Sequence, residues 1–225
     1  MIENKEVTGI ILIAGNSIRY GQNKNKNFEK IKSKYIFQYS LEAFQENIYI
    51  DNIILAIKGD EKEYINNIIK KMPIYKEVKL VQGGKSRKES VYNCISKTDS
   101  DIVIIHDGAR PLIKQEYINK NIEAMKKYKG TSIAVKSKDT IKITNNEGIV
   151  IKTTERKNTW LIQTPQCFNR IILKKAHENC KEQDKITDDC MLLEKEGYEI
   201  KLIDGDYSNI KLTNLEDLKI IEKFF

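Results

Sequence analysis

Short β-branched runs alternate along the chain with segments whose apolar residues recur every three or four positions. The stretches Gly9–Ala14, Asn52–Ile57, Val78–Val81, Ile102–His106, Thr131–Val135, Ile200–Ile203 and Ile210–Leu212 are rich in apolar residues and bounded by polar ones, the pattern of strands buried on both faces. Between them, Ile36–Phe44, Glu61–Lys71, Gln115–Tyr128 and Arg170–Cys180 carry helical periodicity. Ser86 with Glu89, and Thr213 with Glu216, have the spacing of a capping box. They predict one helix through Ile95 and another ending near Phe225. Gly197 is placed to stop a helix that starts at Thr187. This alternation predicts an α/β fold with a mostly parallel sheet and helices on both faces. Ligands in such sheets bind beyond the carboxyl ends of the strands.

Ser137–Thr154 breaks the alternation. Polar and apolar residues alternate singly around Asn145-Asn146-Glu147-Gly148, which predicts a β-hairpin. A polar two-stranded ribbon is not stable alone, so it is expected to pack on something else, with a partner subunit as one candidate.

Composition narrows the partners. A length of 225 residues suits one α/β domain spanning 1–225. The net charge of +7 favours anionic partners. Lys alternates with Glu and Asp, however, without the like-charge run of a nucleic-acid arm. No aromatic-basic platform for stacking bases stands out, and nucleic acid is not an expected partner. Cys94, Cys167, Cys180 and Cys190 form no C-x-x-C pair and have no His at metal spacing, so no metal ligand set is expected. They read as reduced thiols of a cytoplasmic protein. The first residues lack the apolar core of a signal peptide. No apolar stretch approaches the ~18 residues that span a bilayer, so no membrane contact is expected.

Six segments carry candidate chemistry. Ala14–Lys26 (AGNSIRYGQNKNK) follows the first strand and includes Gly15, Arg19 and Lys26. Backbone N–H groups in such a loop can hold a nucleotide beside two fixed cations; the segment is neither a P-loop nor G-x-G-x-x-G. In GGKSRKESV, Gly83 and Gly84 allow close backbone approach. Lys85 follows them, and Arg87 and Ser90 lie at a helix start. HDGARP ends a buried strand; its Asp107 is suited to meet a hydroxyl or a hydrated metal, or to pair with Arg110. His106 there reads as a core or supporting residue. RKNTWLIQTPQCF holds Arg156, Thr164 and the only tryptophan. Thr187-Asp188-Asp189 stands at a helix start, where such residues also serve as plain caps. In NIKLT, Lys211 lies in an apolar stretch, where a charge needs a partner.

In order and spacing, GG-x-x-R-x-x-SV, HDGARP, DTIK, QTPQ-x-F, TDD and NIK-x-T together resemble the 2-C-methyl-D-erythritol 4-phosphate cytidylyltransferase family, over nearly the whole chain. The first segment departs from the family pattern. Asn16, Ser17 and Asn25-Lys26-Asn27 stand where the family usually has glycines and Pro-Lys-Gln. The resemblance implies a Rossmann-like fold with a protruding hairpin arm at about 137–155 that crosses to the partner of a homodimer. It implies transfer of CMP from CTP to a polyol phosphate, with Mg²⁺ arriving on the CTP and no protein nucleophile. Catalysis is then positioning and charge stabilisation. By the same resemblance Arg19 and Lys26 stabilise the α-phosphate and the leaving pyrophosphate. Ala14, Gly15, Gly84, Lys85, Arg87, Ser90 and Gly108 surround the nucleotide. Arg156 and Lys211 position the substrate phosphate, and Asp107, Thr140, Thr164 and Thr187 hold its remaining oxygens. Ribitol 5-phosphate as the acceptor, and an inactive nucleotide-binding protein, are the alternative readings.

Overall fold

The computed structural model describes residues 2–15, 25–181 and 184–225; Arg19 and the departures at Asn16 and Ser17 lie outside them. One seven-stranded sheet organises these residues, in the order β11-β7-β10-β6-β1-β4-β5. Its strands are β1 (Val7–Leu12), β4 (Asn52–Ile57), β5 (Val78–Gln82), β6 (Ile102–Asp107), β7 (Gly130–Lys136), β10 (Trp160–Asn169) and β11 (Ile200–Asp204). All neighbouring pairs run parallel except those of β10, which is antiparallel to both β6 and β7.

Helices cover both faces. Within β1, Val7 and Ile11 face one way and Ile10 the other; Ile104 and Ile105 of β6 divide in the same manner. On one face pack α1 (Ile36–Glu46) through Phe37, Leu41 and Phe44, α2 (Lys62–Ile69) through Ile65, and α4 (Gln115–Ala124) through Ile118 and Ile122. On the other pack α3 (Arg87–Ile95), α5 (Arg170–Asn179) and α6 (Cys190–Lys195), through Val91, Leu173 and Leu193 among others. A third, small cluster joins Ile31, Ile36, Ala109, Leu212 and Ile221. It seats α7 (Leu215–Glu222) and the short hairpin β2–β3 (Lys30–Ile31, Lys34–Tyr35) near the carboxyl end of β6. No helix among the described residues is long and apolar enough to cross a membrane.

Several expectations need correction. Ile210–Leu212 is not a strand. Its apolar residues fill the third cluster, and the Leu212 N–H donates to the Ala109 carbonyl (2.8 Å) rather than to a ladder. Trp160–Asn169, where the sequence predicts no strand, is the longest strand of the sheet. The helix expected from Thr187 begins at Cys190, with Asp189 as its N-cap. The last helix is capped one residue later than expected, by a box of Asn214 with Asp217. The expected hairpin forms as β8 (Lys142–Thr144) and β9 (Val150–Thr153). Gly148 turns it at φ +82°, a conformation glycine adopts without penalty.

Phe168 is fully buried between α5 and the sheet in the second face. Phe168→Ala should lower unfolding free energy by about 3–5 kcal/mol, measured by urea denaturation.

Candidate active site

In this sheet the chain runs outward from β1 through β4 to β5, then returns to the other side of β1 with β6. The carboxyl ends of β1 and β6 therefore flank the point where the winding direction changes, the place where open α/β sheets bind ligands. Leu12 and Asp107 are register partners there. The Gly108 N–H donates to the Leu12 carbonyl (3.0 Å), and a Cβ on Gly108 would lie 2.4 Å from Ile13 Cγ2. Only glycine lets the two strand ends come this close.

Asp107 is the centre of the cluster. Its carboxylate meets Lys211 Nζ at 2.6 Å, Arg87 Nε at 3.4 Å and Arg110 Nε at 3.9 Å. Arg87 reaches on with Nη1 to Asp189 at 2.7 Å. Burial pushes the Asp107 carboxyl up, but Arg87, Lys211 and Arg110 together outweigh it and hold it well below the usual carboxylate range. Burial also works against the Arg87 charge, and Asp189 and Asp107 more than restore it. Three cations face two carboxylates in this network, which leaves one positive charge over. The surplus suits an anion.

β10 contributes through an irregularity. Its register with β7 shifts between Ile162 and Gln166, and the Thr164–Pro165 peptide within that stretch is cis. The bulge turns Thr164 toward the end of β6. The Asp107 N–H donates to Thr164 Oγ1 (3.1 Å), which in turn lies 3.0 Å from His106 Nδ1. His106 Nε2 lies 3.1 Å from the Arg110 carbonyl. A carbonyl only accepts, so Nε2 carries the proton, Nδ1 accepts from Thr164, and the ring is neutral. Burial is the main reason that the His106 pKa falls to about 4. Asn209 completes the frame. Its Nδ2 donates to the Thr164 carbonyl (2.9 Å), and its own carbonyl accepts from Arg110 Nη1 (2.6 Å).

The first and second segments approach the same strand ends. Ser90 Oγ accepts from the Gly84 N–H (3.0 Å) and donates to the Ser86 carbonyl (2.8 Å). Ala14 abuts Gly83, where a Cβ would lie 2.5 Å from Ala14 Cβ. Gly15 is exposed, and Lys85 is exposed with its N–H on the Glu89 carboxylate (2.7 Å). Lys26 begins a 3-10 turn, Lys26–Phe28, whose Asn25 Nδ2 donates to the Ile13 carbonyl (2.7 Å).

Some sequence-predicted residues are not joined to Asp107. Arg156 and Thr140 are both exposed and pair with each other, Nη2 to Oγ1 at 3.0 Å, at the root of the β8–β9 hairpin. Thr187 is exposed and donates to the Met191 sulfur (3.0 Å). Two residues joined to this network were named in the sequence only within motifs and not singled out: Asp189 in TDD and Asn209 in NIKLT. The signal available for Asp189 was a second carboxylate in TDD, more than a cap requires. Among the described residues no group of three or more His, Cys, Asp or Glu side chains gathers to hold a metal. Among the described residues Asp107 is already matched by three cations, so it does not fit the role of ligand to a resident metal ion.

His106 and His177 both have pKa values lowered to about 4, chiefly by burial. A histidine depressed in the fold is protonated first in the unfolded chain, so its burial costs stability below pH ~6.5 and increasingly so toward pH 4. Urea unfolding should show stability falling across that window by up to about 3 kcal/mol per histidine, and His177→Asn should flatten the slope.

The family profile for 2-C-methyl-D-erythritol 4-phosphate cytidylyltransferase matches residues 7–225. An enzyme of that name from Caldanaerobacter subterraneus is 41% identical over 222 residues, covering 97% of this chain and 98% of its own. One from Clostridium botulinum is 41% identical over 221 residues, covering 95% and 96%. Among solved structures, the 4-diphosphocytidyl-2C-methyl-D-erythritol synthase of Anaerococcus prevotii superposes with a TM-score of 0.87 at 31% identity, covering 98% of each chain. The Francisella tularensis cytidylyltransferase does so with a TM-score of 0.81 at 30% identity, over 98% and 100%. The chain belongs to the 2-C-methyl-D-erythritol 4-phosphate cytidylyltransferase family.

Proposed function

We propose that the chain transfers CMP from CTP to 2-C-methyl-D-erythritol 4-phosphate on a single domain. An oxygen of the sugar phosphate attacks the α-phosphorus of CTP. The bond from that phosphorus to the bridging oxygen breaks, and pyrophosphate leaves. The observation that carries the reading is the Asp107 cluster, with its surplus positive charge, at the point where the sheet changes winding direction. The ionised substrate phosphate is itself the nucleophile, so no side chain needs to form a covalent intermediate.

The roles assigned here are those that the family resemblance implies. Lys211, paired with Asp107, meets the attacking phosphate, and Asp107 and Thr164 take hydroxyls of the sugar. Lys26 and Arg19 take the charge that develops on the α-phosphate and the leaving group. The strand ends at Ala14, Gly15, Gly84, Ser90 and Gly108 receive cytosine and ribose, with Lys85 beside them and Arg87 holding the shape of the floor. Magnesium enters as part of the substrate, bound to the CTP phosphates.

Thr140, Arg156 and Thr187 lie apart from Asp107 within one chain. A homodimer gives the first two a purpose, since an arm that crosses to the partner delivers Thr140 and Arg156 to the other subunit's site. The apolar surface along the hairpin and the start of β10 supports this. Ile149, Val150, Ile151 and Leu161 are 60%, 53%, 68% and 47% exposed. Four free thiols support a reducing, cytoplasmic setting.

Pyrophosphate release from MgCTP should be much faster with methylerythritol 4-phosphate than with ribitol 5-phosphate. The reverse preference would assign the chain to the ribitol substrate, and release with neither would mark it as a nucleotide-binding protein without turnover. Lys26→Ala and Lys211→Ala should each lower kcat by ~10²–10³. Arg156→Ala mixed with Lys26→Ala should regain turnover, because in a crossed dimer one of the two sites is then intact. No recovery after verified subunit exchange would place Arg156 in its own subunit's site.

A further inference from the structure

We propose that Asn25 and Asn27 are the positioning residues of Lys26, and that their side-chain amides do by hydrogen bonding what proline does by its ring in the triplet the family usually shows. The proposal rests on the role assigned to Lys26 above. A single 3-10 turn has poor hydrogen-bond geometry and does not hold itself, so what fixes Lys26–Phe28 must lie outside it.

Both asparagines are buried, at 6% and 3% exposure, where an amide is costly unless it bonds. Their bonds converge on the end of β1. Asn25 Nδ2 donates to the Ile13 carbonyl at 2.7 Å, and Asn27 Nδ2 donates to the same oxygen at 3.3 Å. Asn25 Oδ1 accepts from both the backbone N–H (3.1 Å) and Nδ2 (2.9 Å) of Asn27. Asn25 Nδ2 also lies 3.3 Å from each oxygen of Glu61, beyond the end of β4. Ile13 is itself fixed to the sheet by its N–H on the Ala56 carbonyl (2.9 Å). On the far side of Lys26, Phe28 packs edge-on against Tyr64, Phe37 and Tyr35, with centroids at 5.3, 5.9 and 6.1 Å. The lysine backbone is thus held between a strand end and an aromatic cluster.

The comparison with proline comes from the backbone. Asn25 has φ −67° and ψ 115°, and proline locks φ near −65°. Asparagine does not impose that angle, so in this chain the amide bonds to Ile13 and Asn27 must select it. The departure from the family triplet therefore exchanges one way of fixing Lys26 for another.

The test is a coupling measurement on full-length protein. Asn25→Ala with Asn27→Ala should lower kcat for pyrophosphate release by about 10- to 100-fold, as expected when a catalytic group is displaced by about an ångström. KM for the sugar phosphate should change by less than about threefold, because the lost interaction belongs to the leaving group. In a Lys26→Ala background the same pair should cost less than about twofold more, since residues acting through one group are not additive. An equal loss in both backgrounds, or no loss with Lys26 present, would overturn the proposal. Wild-type turnover by Lys26→Ala alone would instead overturn the role of Lys26, and the proposal with it. The pair Asn25→Pro with Asn27→Gln gives an answer even if the alanine pair fails to fold. It should keep kcat within about threefold of wild type, because φ at position 25 already suits proline; a folded Pro-Lys-Gln variant that loses turnover as the alanine pair does would refute the equivalence.

Discussion

The site depends on one buried carboxylate. Asp107 terminates a strand that is apolar on both faces, where an unpaired charge costs several kcal/mol. Lys211, Arg87 and Arg110 make it tolerable, and they come from three separate parts of the chain. The interaction therefore does two jobs. It ties the C-terminal segment and the start of α3 to the middle of the sheet, and it gathers three cations at the end of β6. Coulombic attraction that would be feeble between exposed groups is strong here because little water competes. Asp189 extends the arrangement by anchoring the far end of Arg87. With that anchor the guanidinium is fixed between two carboxylates and cannot fold onto Asp107 alone.

Packing explains why the cluster sits where it does. A close approach of β1 to β6, permitted by Gly108, sets Ile13, just past β1, against the residue that follows Asp107. The bulge in β10 supplies a hydroxyl to the Asp107 backbone that a regular ladder would have turned away. The neutral His106 behind it accepts from that hydroxyl and donates to the Arg110 carbonyl, so its tautomer is set by its neighbours. Irregular features of the backbone thus coincide with the chemistry, and the regular parts of the sheet serve to hold them still.

The central strands β1, β4 and β6 were legible because each is a buried β-branched run; β5 and β11, expected to be buried on both faces, are edge strands only partly covered; and the helices were legible because their apolar stripes fit a 3.6-residue period. β10 was not. Its sequence, WLIQTPQCFN, mixes apolar residues with glutamines and a proline, and it is a strand because β6 and β7 offer it hydrogen bonds on both edges. Ile210–Leu212 shows the converse error. A three-residue apolar run has no period of its own, and here it serves a small cluster instead of a ladder. In the site, the charge of Lys211 within an apolar stretch announced that it needed a partner, and Arg110 could be read as one for Asp107. That Asp107 would be the partner of Lys211 as well, and that Asp189 would hold Arg87 from 102 residues away, are facts of tertiary proximity that no local pattern encodes. Asn25 and Asn27 were visible only as departures from a motif; their bonds to Ile13 could not be read without the fold.

The position of β10 also bears on how the chain acquires its shape. Both neighbours of β7 in the sheet, β10 and β11, are made after it. During synthesis β5, β4, β1 and β6 can assemble as soon as Asp107 has emerged, whereas β7 must wait, from Lys136 until Trp160 and beyond, with no edge to join. The strand order leaves β7 without a neighbour in the sheet until β10 or β11 has been made. That dependence is written into the strand order, and the hairpin β8–β9 that separates β7 from β10 along the chain forms a two-stranded sheet of its own.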